Sequence, residues 1–155
     1  MMKLTIAIPT YNRNKILNNN LKLLLPQMTS DCRILIIDNC SEIPVEDTLS
    51  DIINKFSNVD IKVIRNSHNV GLTGNILKCF EFCNDQWLWI LGDDDEVKDG
   101  AINQILLDTN KYKNNHFISY AWDEPSFNRK EDLITKGAVS YTHLTLPTTD
   151  RGYLS

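Results

Sequence analysis

Arg33-Ile34-Leu35-Ile36-Ile37-Asp38-Asn39-Cys40-Ser41 holds four consecutive apolar residues and then turns abruptly polar. An apolar run without polar alternation reads as a strand buried on both faces, as in parallel sheets. Upstream of it, Leu17, Leu21, Leu24, Leu25 and Met28 recur at helical spacing, and Lys3 to Pro9 reads as an earlier buried strand. Downstream, Leu49, Ile52, Ile53 and Phe56 form one helical stripe, and Ile61 to Arg65 form a third strand. Leu72, Ile76, Leu77, Phe80 and Cys83 predict a third amphipathic helix, and Gln86 to Leu91 a fourth strand. Ala101, Ile102, Ile105 and Leu106 mark a fourth helix, and His116 to Trp122 a fifth strand. Strand and helix alternating in this way predict an α/β fold, an open, mostly parallel sheet with alternating helices, Rossmann-like in plan.

The chain has 155 residues, enough for one domain with a substantial core, and 42% of them are hydrophobic. Lys and Arg number 16 against 20 Asp and Glu, a net charge of −4, which argues against a nucleic-acid partner. No apolar stretch approaches the ~20 residues of a membrane span, and the N-terminal run is too short for a signal peptide. A cytoplasmic location is therefore expected, with membrane association of the full-length protein left open. Cys32, Cys40, Cys79 and Cys83 show no Cys-x-x-Cys spacing and read as reduced, packed residues rather than a metal or redox set. His68 and His116 likewise read as surface or packing residues.

In an open parallel sheet, ligands bind beyond the carboxyl ends of the strands. Polar residues follow each predicted strand: Pro9-Thr10-Tyr11-Asn12-Arg13, Asp38-Asn39-Cys40-Ser41, Asn66-Ser67-His68-Asn69-Val70-Gly71, and Gly92-Asp93-Asp94-Asp95-Glu96. The last of these is the sharpest chemical signal. Two unit charges ~4 Å apart repel by about 4 kcal/mol at an effective dielectric near 20. A hard cation such as Mg²⁺ or Mn²⁺, which takes one or two carboxylates plus substrate phosphates, would relieve that repulsion. The alternative is a solvated acidic cap at the N-terminus of the next helix, with Glu96 and Asp99 as helix-start residues. Neither Gly-x-Gly-x-x-Gly nor a P-loop pattern is present, so a bound diphosphate would need a metal in place of a glycine cradle.

These four segments, with Asn75 following Asn69-Val70-Gly71, resemble the family 2 glycosyltransferases of glycosyltransferase-A fold, in order and over about residues 3–122. The resemblance implies a nucleoside diphosphate sugar donor, a glycan or glycolipid acceptor, and inverting, metal-assisted transfer with Mg²⁺ or Mn²⁺. It places Thr10 and Tyr11 beside the nucleobase and Arg13 near the phosphates or base. Asp38 would accept a hydrogen bond from a pyrimidine ring. Asn69 and Gly71 would shape the loop over the nucleotide, and Asn75 would reach the ribose or base. Asp93 would contact the ribose, and Asp94 or Asp95 the metal, the triple Asp leaving the register open by one residue. Family members often carry a second acid after the first; here that position is Asn39. The general base is expected beyond residue 138, with Asp123 and Glu124 as weaker substitutes. Competing readings are a non-catalytic nucleotide-sugar-binding domain and an Asp-x-Asp phosphatase built on Asp93 and Asp95.

Composition breaks near residue 139. Residues 1–138 hold 17 Asn, 17 Ile and 11 Lys, and residues 139–155 hold none of the three. The run Val139 to Thr148 also resembles a translated sequencing adapter. Residues 1–138 are thus expected to be the nucleotide-diphospho-sugar-binding part of a truncated glycosyltransferase domain, and 139–155 a non-native tail. The richness in Asn, Ile and Lys suggests an AT-rich bacterial genome; a role in polysaccharide biosynthesis is implied by the family resemblance alone.

Overall fold

The structure, a computed structural model, describes residues 4–118, 134–135 and 138–139. The chain divides into two compact units, Met1–Ile105 and Leu106–Ser155. The first is a four-stranded parallel sheet in the order β3-β2-β1-β4, with β1 Leu4–Thr10, β2 Cys32–Asp38, β3 Asp60–Arg65 and β4 Trp87–Ile90. Helices α1 Asn14–Leu24, α2 Val45–Lys55 and α3 Gly71–Phe82 connect them. Helix α4, Ala101–Lys111, follows β4. The second unit contains β5 Phe117–Ile118, β6 Ile134–Thr135 and β7 Ala138–Val139; β7 pairs parallel with β5 and antiparallel with β6. Of the predicted fifth strand, His116 to Trp122, the described residues show Phe117–Ile118 as strand, and 119–122 lie outside them.

β1 and β2 are central and almost wholly buried, Ile6, Ile34 and Ile36 being fully enclosed. Their continuous apolar runs leave no side that water can reach, as the opening stretch requires. β3 lies at the edge and alternates in exposure along its length. Helix α1 packs through Leu17, Leu21 and Leu24, and a short 3-10 turn at Leu25–Gln27 carries Leu25 into the same core. Each such side chain contributes about 1.5–3 kcal/mol on burial. At the amino end of the sheet Asp85 accepts from the Thr5 hydroxyl at 2.6 Å and pairs with Arg33 at 2.9 Å, pinning the entry to β4.

Helix α3 departs from expectation. Its predicted stripe leaves Leu72 74% and Leu77 59% exposed, and the buried positions are Asn75 and Cys79. The face turned to the sheet is chosen by a polar contact: Asn75 Nδ2 donates to the Ile37 carbonyl of β2 at 3.1 Å. A helix with apolar residues on several sides does not declare by pattern alone which one will be covered. Cys79 is buried one turn further on, and burial pushes its thiol up to about 12. All four cysteines are free.

Candidate active site

Parallel register sets the site. β1 and β2 run in step to Thr10 opposite Asp38, and β2 and β3 to Asp38 opposite Arg65. The chain builds β1, β2 and β3 outward in one direction and then returns to place β4 on the other side of β1. The crevice at this reversal, between the carboxyl ends of β1 and β4, is where doubly wound sheets bind ligands.

That crevice is closed by charge. Arg13 Nη1 lies 3.0 Å from Asp93 Oδ1 and 2.8 Å from Asp94 Oδ2. Asp93 is buried and is held from two further sides: Thr10 Oγ1 donates to its Oδ2 at 2.7 Å, and Asn20 Nδ2 to its carbonyl at 2.7 Å. Asp94 is mostly exposed. The hydrogen bond to Asp93 and the two negative charges hold the Arg13 pKa above its ordinary value. Arg13 stands at the N-cap position of α1, where a guanidinium has no acceptor to offer, and the helix has neither a side-chain N-cap nor an acid in its first turn. Asp95 Oδ2 accepts from the Gly92 amide at 3.1 Å. A Cβ on Gly92 would stand 2.6 Å from that same oxygen, so any side chain there would displace the Asp95 carboxylate from the Gly92 amide.

Helix α4 begins at Ala101 with no acid in its first turn. The acidic triplet is therefore not a helix cap, and Glu96 and Asp99 are not first-turn residues. Repulsion within the triplet is relieved in the structure by Arg13 and by backbone amides. Among the described residues, no three His, Cys, Asp or Glu side chains converge as a metal cage. The donor set nevertheless suits Mg²⁺ or Mn²⁺, because such ions need only one or two carboxylates when phosphates complete the shell. The Arg13 guanidinium, shared between Asp93 and Asp94, already marks a position where positive charge is favoured.

Asp38 is fully buried. Its Oδ1 accepts from the Ser41 amide at 2.8 Å; its Oδ2 accepts from the Val45 amide at 3.3 Å and from Arg65 Nη1. Burial by itself pushes this carboxyl up, but the hydrogen bonds from Ser41, Val45 and Arg65 outweigh it and leave the pKa below the ordinary carboxylate value. Through Val45, the first residue of α2, Asp38 caps a helix whose own N-cap position is Pro44. Arg65 also donates to the Ser41 carbonyl at 2.7 Å.

The β1 and β2 loops are laced together. Asn12 donates its amide to Ser41 Oγ at 2.9 Å and accepts from the Glu42 amide at 2.8 Å. Asn12 and Cys40 both adopt positive φ, 55° and 65°; asparagine takes this conformation readily, whereas a cysteine holds it only where the surroundings enforce it. Tyr11, 43% exposed, stands at the rim beside them.

The expected site residues thus separate into two groups. Thr10, Arg13, Asp93 and Asp94 converge at the crevice, with Tyr11 and Asp95 adjoining in sequence. Asp38, Asn69, Gly71 and Asn75 bond mainly to the chain itself. Asn75 is buried, with its amide divided between Ile37 and Asn66. Gly71 has φ +76° and opens α3. Ser41, Arg65, Asn20 and Asn66 hold the site but carry no sequence signal as contacts; only the register at the ends of β2 and β3 points to Arg65. Asp123, Glu124 and all of 139–155 except Val139 lie outside the described residues.

The sequence profile of glycosyl transferase family 2 matches residues 5–143, and the chain belongs to that family. It is 36% identical over 112 residues to abequosyltransferase RfbV of Salmonella typhimurium, covering 70% of this chain and 33% of the relative. It is 29% identical over 113 residues to a Campylobacter jejuni GalNAc(5)-diNAcBac-PP-undecaprenol beta-1,3-glucosyltransferase, covering 72% and 36%. The chain therefore spans about a third of the length of these curated relatives. Among solved structures, S. aureus TarS 1–349 superposes with TM-score 0.65 at 16% identity, over 85% of this chain and 39% of that one. Mannosyltransferase PcManGT from Pyrobaculum calidifontis, in complex with GDP-Man and Mn²⁺, superposes with TM-score 0.66 at 12% identity, over 79% and 36%. The fold is that of the glycosyltransferase-A enzymes.

Proposed function

We propose that this chain carries the donor site of an inverting glycosyltransferase that takes a nucleoside diphosphate sugar and passes the sugar to a hydroxyl of a glycan or glycolipid. The observation that carries the reading is the convergence of Thr10, Arg13, Asp93 and Asp94 at the sheet's reversal point. Tyr11 offers an exposed ring for the nucleobase, and Asp93 a carboxylate for the ribose. Arg13, half exposed, is able to turn from the carboxylates to the diphosphate. Asp38 accepts from a base only if Arg65 yields its place, so its first task is to hold the β2 loop. Asn69 and Gly71 shape the loop, and Asn75 acts by orienting that loop rather than by touching the donor.

Asp94, with Asp93 or Asp95, would hold Mg²⁺ or Mn²⁺. Such an ion, when bound, neutralises charge on the diphosphate leaving group. Arg13 adds a second positive charge to the same group. The acceptor hydroxyl attacks the anomeric carbon in line, the sugar–phosphate bond breaks, and the hydroxyl proton passes to a carboxylate acting as general base. We place that base beyond residue 138. The name of the Campylobacter relative, with its PP-undecaprenol acceptor, favours an acceptor glycan carried on a polyprenyl diphosphate.

Calorimetric titration of UDP, GDP and CDP, with Mn²⁺ and then with chelator, tests the reading. At least one of the three should bind, and chelator should weaken it. Asp94→Asn should remove most of the metal dependence. Equal affinity in both conditions would reject the metal role, and no binding of any of the three would reject the donor site.

A further inference from the structure

Four asparagines behind the crevice form a single hydrogen-bonded set; the backbone fixes the amides of Asn39, Asn69 and Asn75, and these fix that of Asn66. The Val70 amide donates to Asn39 Oδ1 at 2.9 Å, so Asn39 Nδ2 must face the other way. There it donates to Asn69 Oδ1 at 2.8 Å and to the Gly71 carbonyl at 3.3 Å. Asn69 Oδ1 is itself identified as an oxygen by the Gly71 amide, which donates to it at 2.8 Å. On the far side, the Ile37 carbonyl accepts from Asn75 Nδ2, leaving Asn75 Oδ1 to accept from Asn66 Nδ2 at 2.9 Å. Asn66 Nδ2 also donates to Asn39 Oδ1 at 3.0 Å, and the Asn66 amide to the Asp38 carbonyl at 2.8 Å.

From this geometry we infer that Asn39 and Asn66 are positioning residues of the donor site, which preset the Asn69-Val70-Gly71 turn and the start of α3 before any nucleotide arrives. The inference rests on the donor-site reading above. Asn39 joins the end of β2 to three consecutive residues of the turn, and it needs both halves of an amide to do so. A carboxylate would set a charged acceptor against Asn69 Oδ1 and the Gly71 carbonyl, oxygens that have no proton to offer it. Asn66 completes the set by tying Asn39 to Asn75, so the turn, β2 and α3 are held as one piece. A loop ordered in advance does not have to lose freedom on binding, and affinity gains accordingly.

The test uses the 155-residue chain and whichever of UDP, GDP and CDP it binds most tightly. Asn39→Asp should weaken that nucleotide about tenfold near pH 8, two donors having become repelling acceptors. The Asn69 and Gly71 oxygens facing one carboxylate oxygen favour its protonated form, while the Val70 and Asn66 donors on the other favour the ionised form. Once protonated, the acid again donates a hydrogen bond, so the deficit relative to the unsubstituted chain should shrink as pH falls to about 5. Asn66→Ala, which only removes a donor, should weaken binding without that recovery. Hydrogen exchange supplies a reading independent of the nucleotide: the Gly71 amide, whose acceptor Asn69 Oδ1 is oriented by Asn39, should exchange at least tenfold faster in both variants, while the Val70 amide keeps an oxygen acceptor in Asn39→Asp, with β1 and β2 unchanged. Unchanged Gly71 exchange in a folded Asn39→Asp chain would overturn the positioning role, whatever the nucleotide does. Faster exchange with undiminished nucleotide affinity would overturn the link to the donor site. If the unsubstituted chain binds none of the three nucleotides, the donor-site reading fails and this role falls with it.

Discussion

Arg13 shows how a single exposed side chain organises a site. It is 48% exposed yet bridges two carboxylates from a segment eighty residues away. Such exposed pairs contribute little to folding, typically under about 1 kcal/mol. Arg13→Gln is therefore expected to cost about 1 kcal/mol or less in urea denaturation, Asp93 keeping its bond from Thr10. The same change should weaken the bound nucleoside diphosphate about tenfold, since a charge-assisted contact to phosphate is lost. A fall in stability without any fall in affinity would show that Arg13 serves the fold alone. Asp38 is the opposite case, a buried carboxylate with three donors from the protein. Its pKa is depressed in the folded chain, so it stabilises the fold above the ordinary carboxylate value of about 3.9. That stabilisation is lost as pH falls from there through the depressed value. Asp38→Asn should cost about 2–4 kcal/mol near neutral pH, because an amide NH₂ must then face donors. The gap between variant and unsubstituted chain should narrow in urea melts carried out at successively lower pH through the acid range.

At the scale of elements, α3 shows polar satisfaction overriding apolar pattern. Asn75 occupies the buried face because the Ile37 carbonyl needs a donor there. Asn75→Leu improves the hydrophobic pattern of the helix, yet it is expected to destabilise by about 2 kcal/mol, removing the buried hydrogen bonds to the Ile37 carbonyl and from Asn66. Leu77→Gln, on the exposed side, should stay within about 0.5 kcal/mol of the unsubstituted chain. Thermal melts of the two variants decide the point, and the reverse ranking would restore the apolar stripe read from sequence. The central strands raised no such conflict. β1 and β2 are buried on both faces, so nearly every residue in them had to be apolar, and their sequence shows it. α1 likewise declares its face, because its apolar residues lie on a single stripe.

For the whole molecule, the donor-site residues named here all belong to the unit Met1–Ile105. We propose that residues 139–155 add nothing to nucleotide binding. Deleting them should leave the affinity of the calorimetric titration unchanged, and a loss above about threefold would return them to the native domain. The strand–helix alternation, the parallel sheet and the polar edge were all legible in the chain, because each is written in local spacing. The segments around Thr10, Asp38, Asn69 and Asp93 were legible too, since every one follows a strand. What the sequence could not say is which polar residues face the ligand and which face one another. Arg13 meets Asp93 only because β4 returns to the far side of β1, and Asn39 meets Asn69 only because β2 and β3 end side by side. Such contacts lie 30 to 80 residues apart. Local periodicity determines the elements, but the order in which strands assemble decides which of their ends meet, and with it the chemistry of the site.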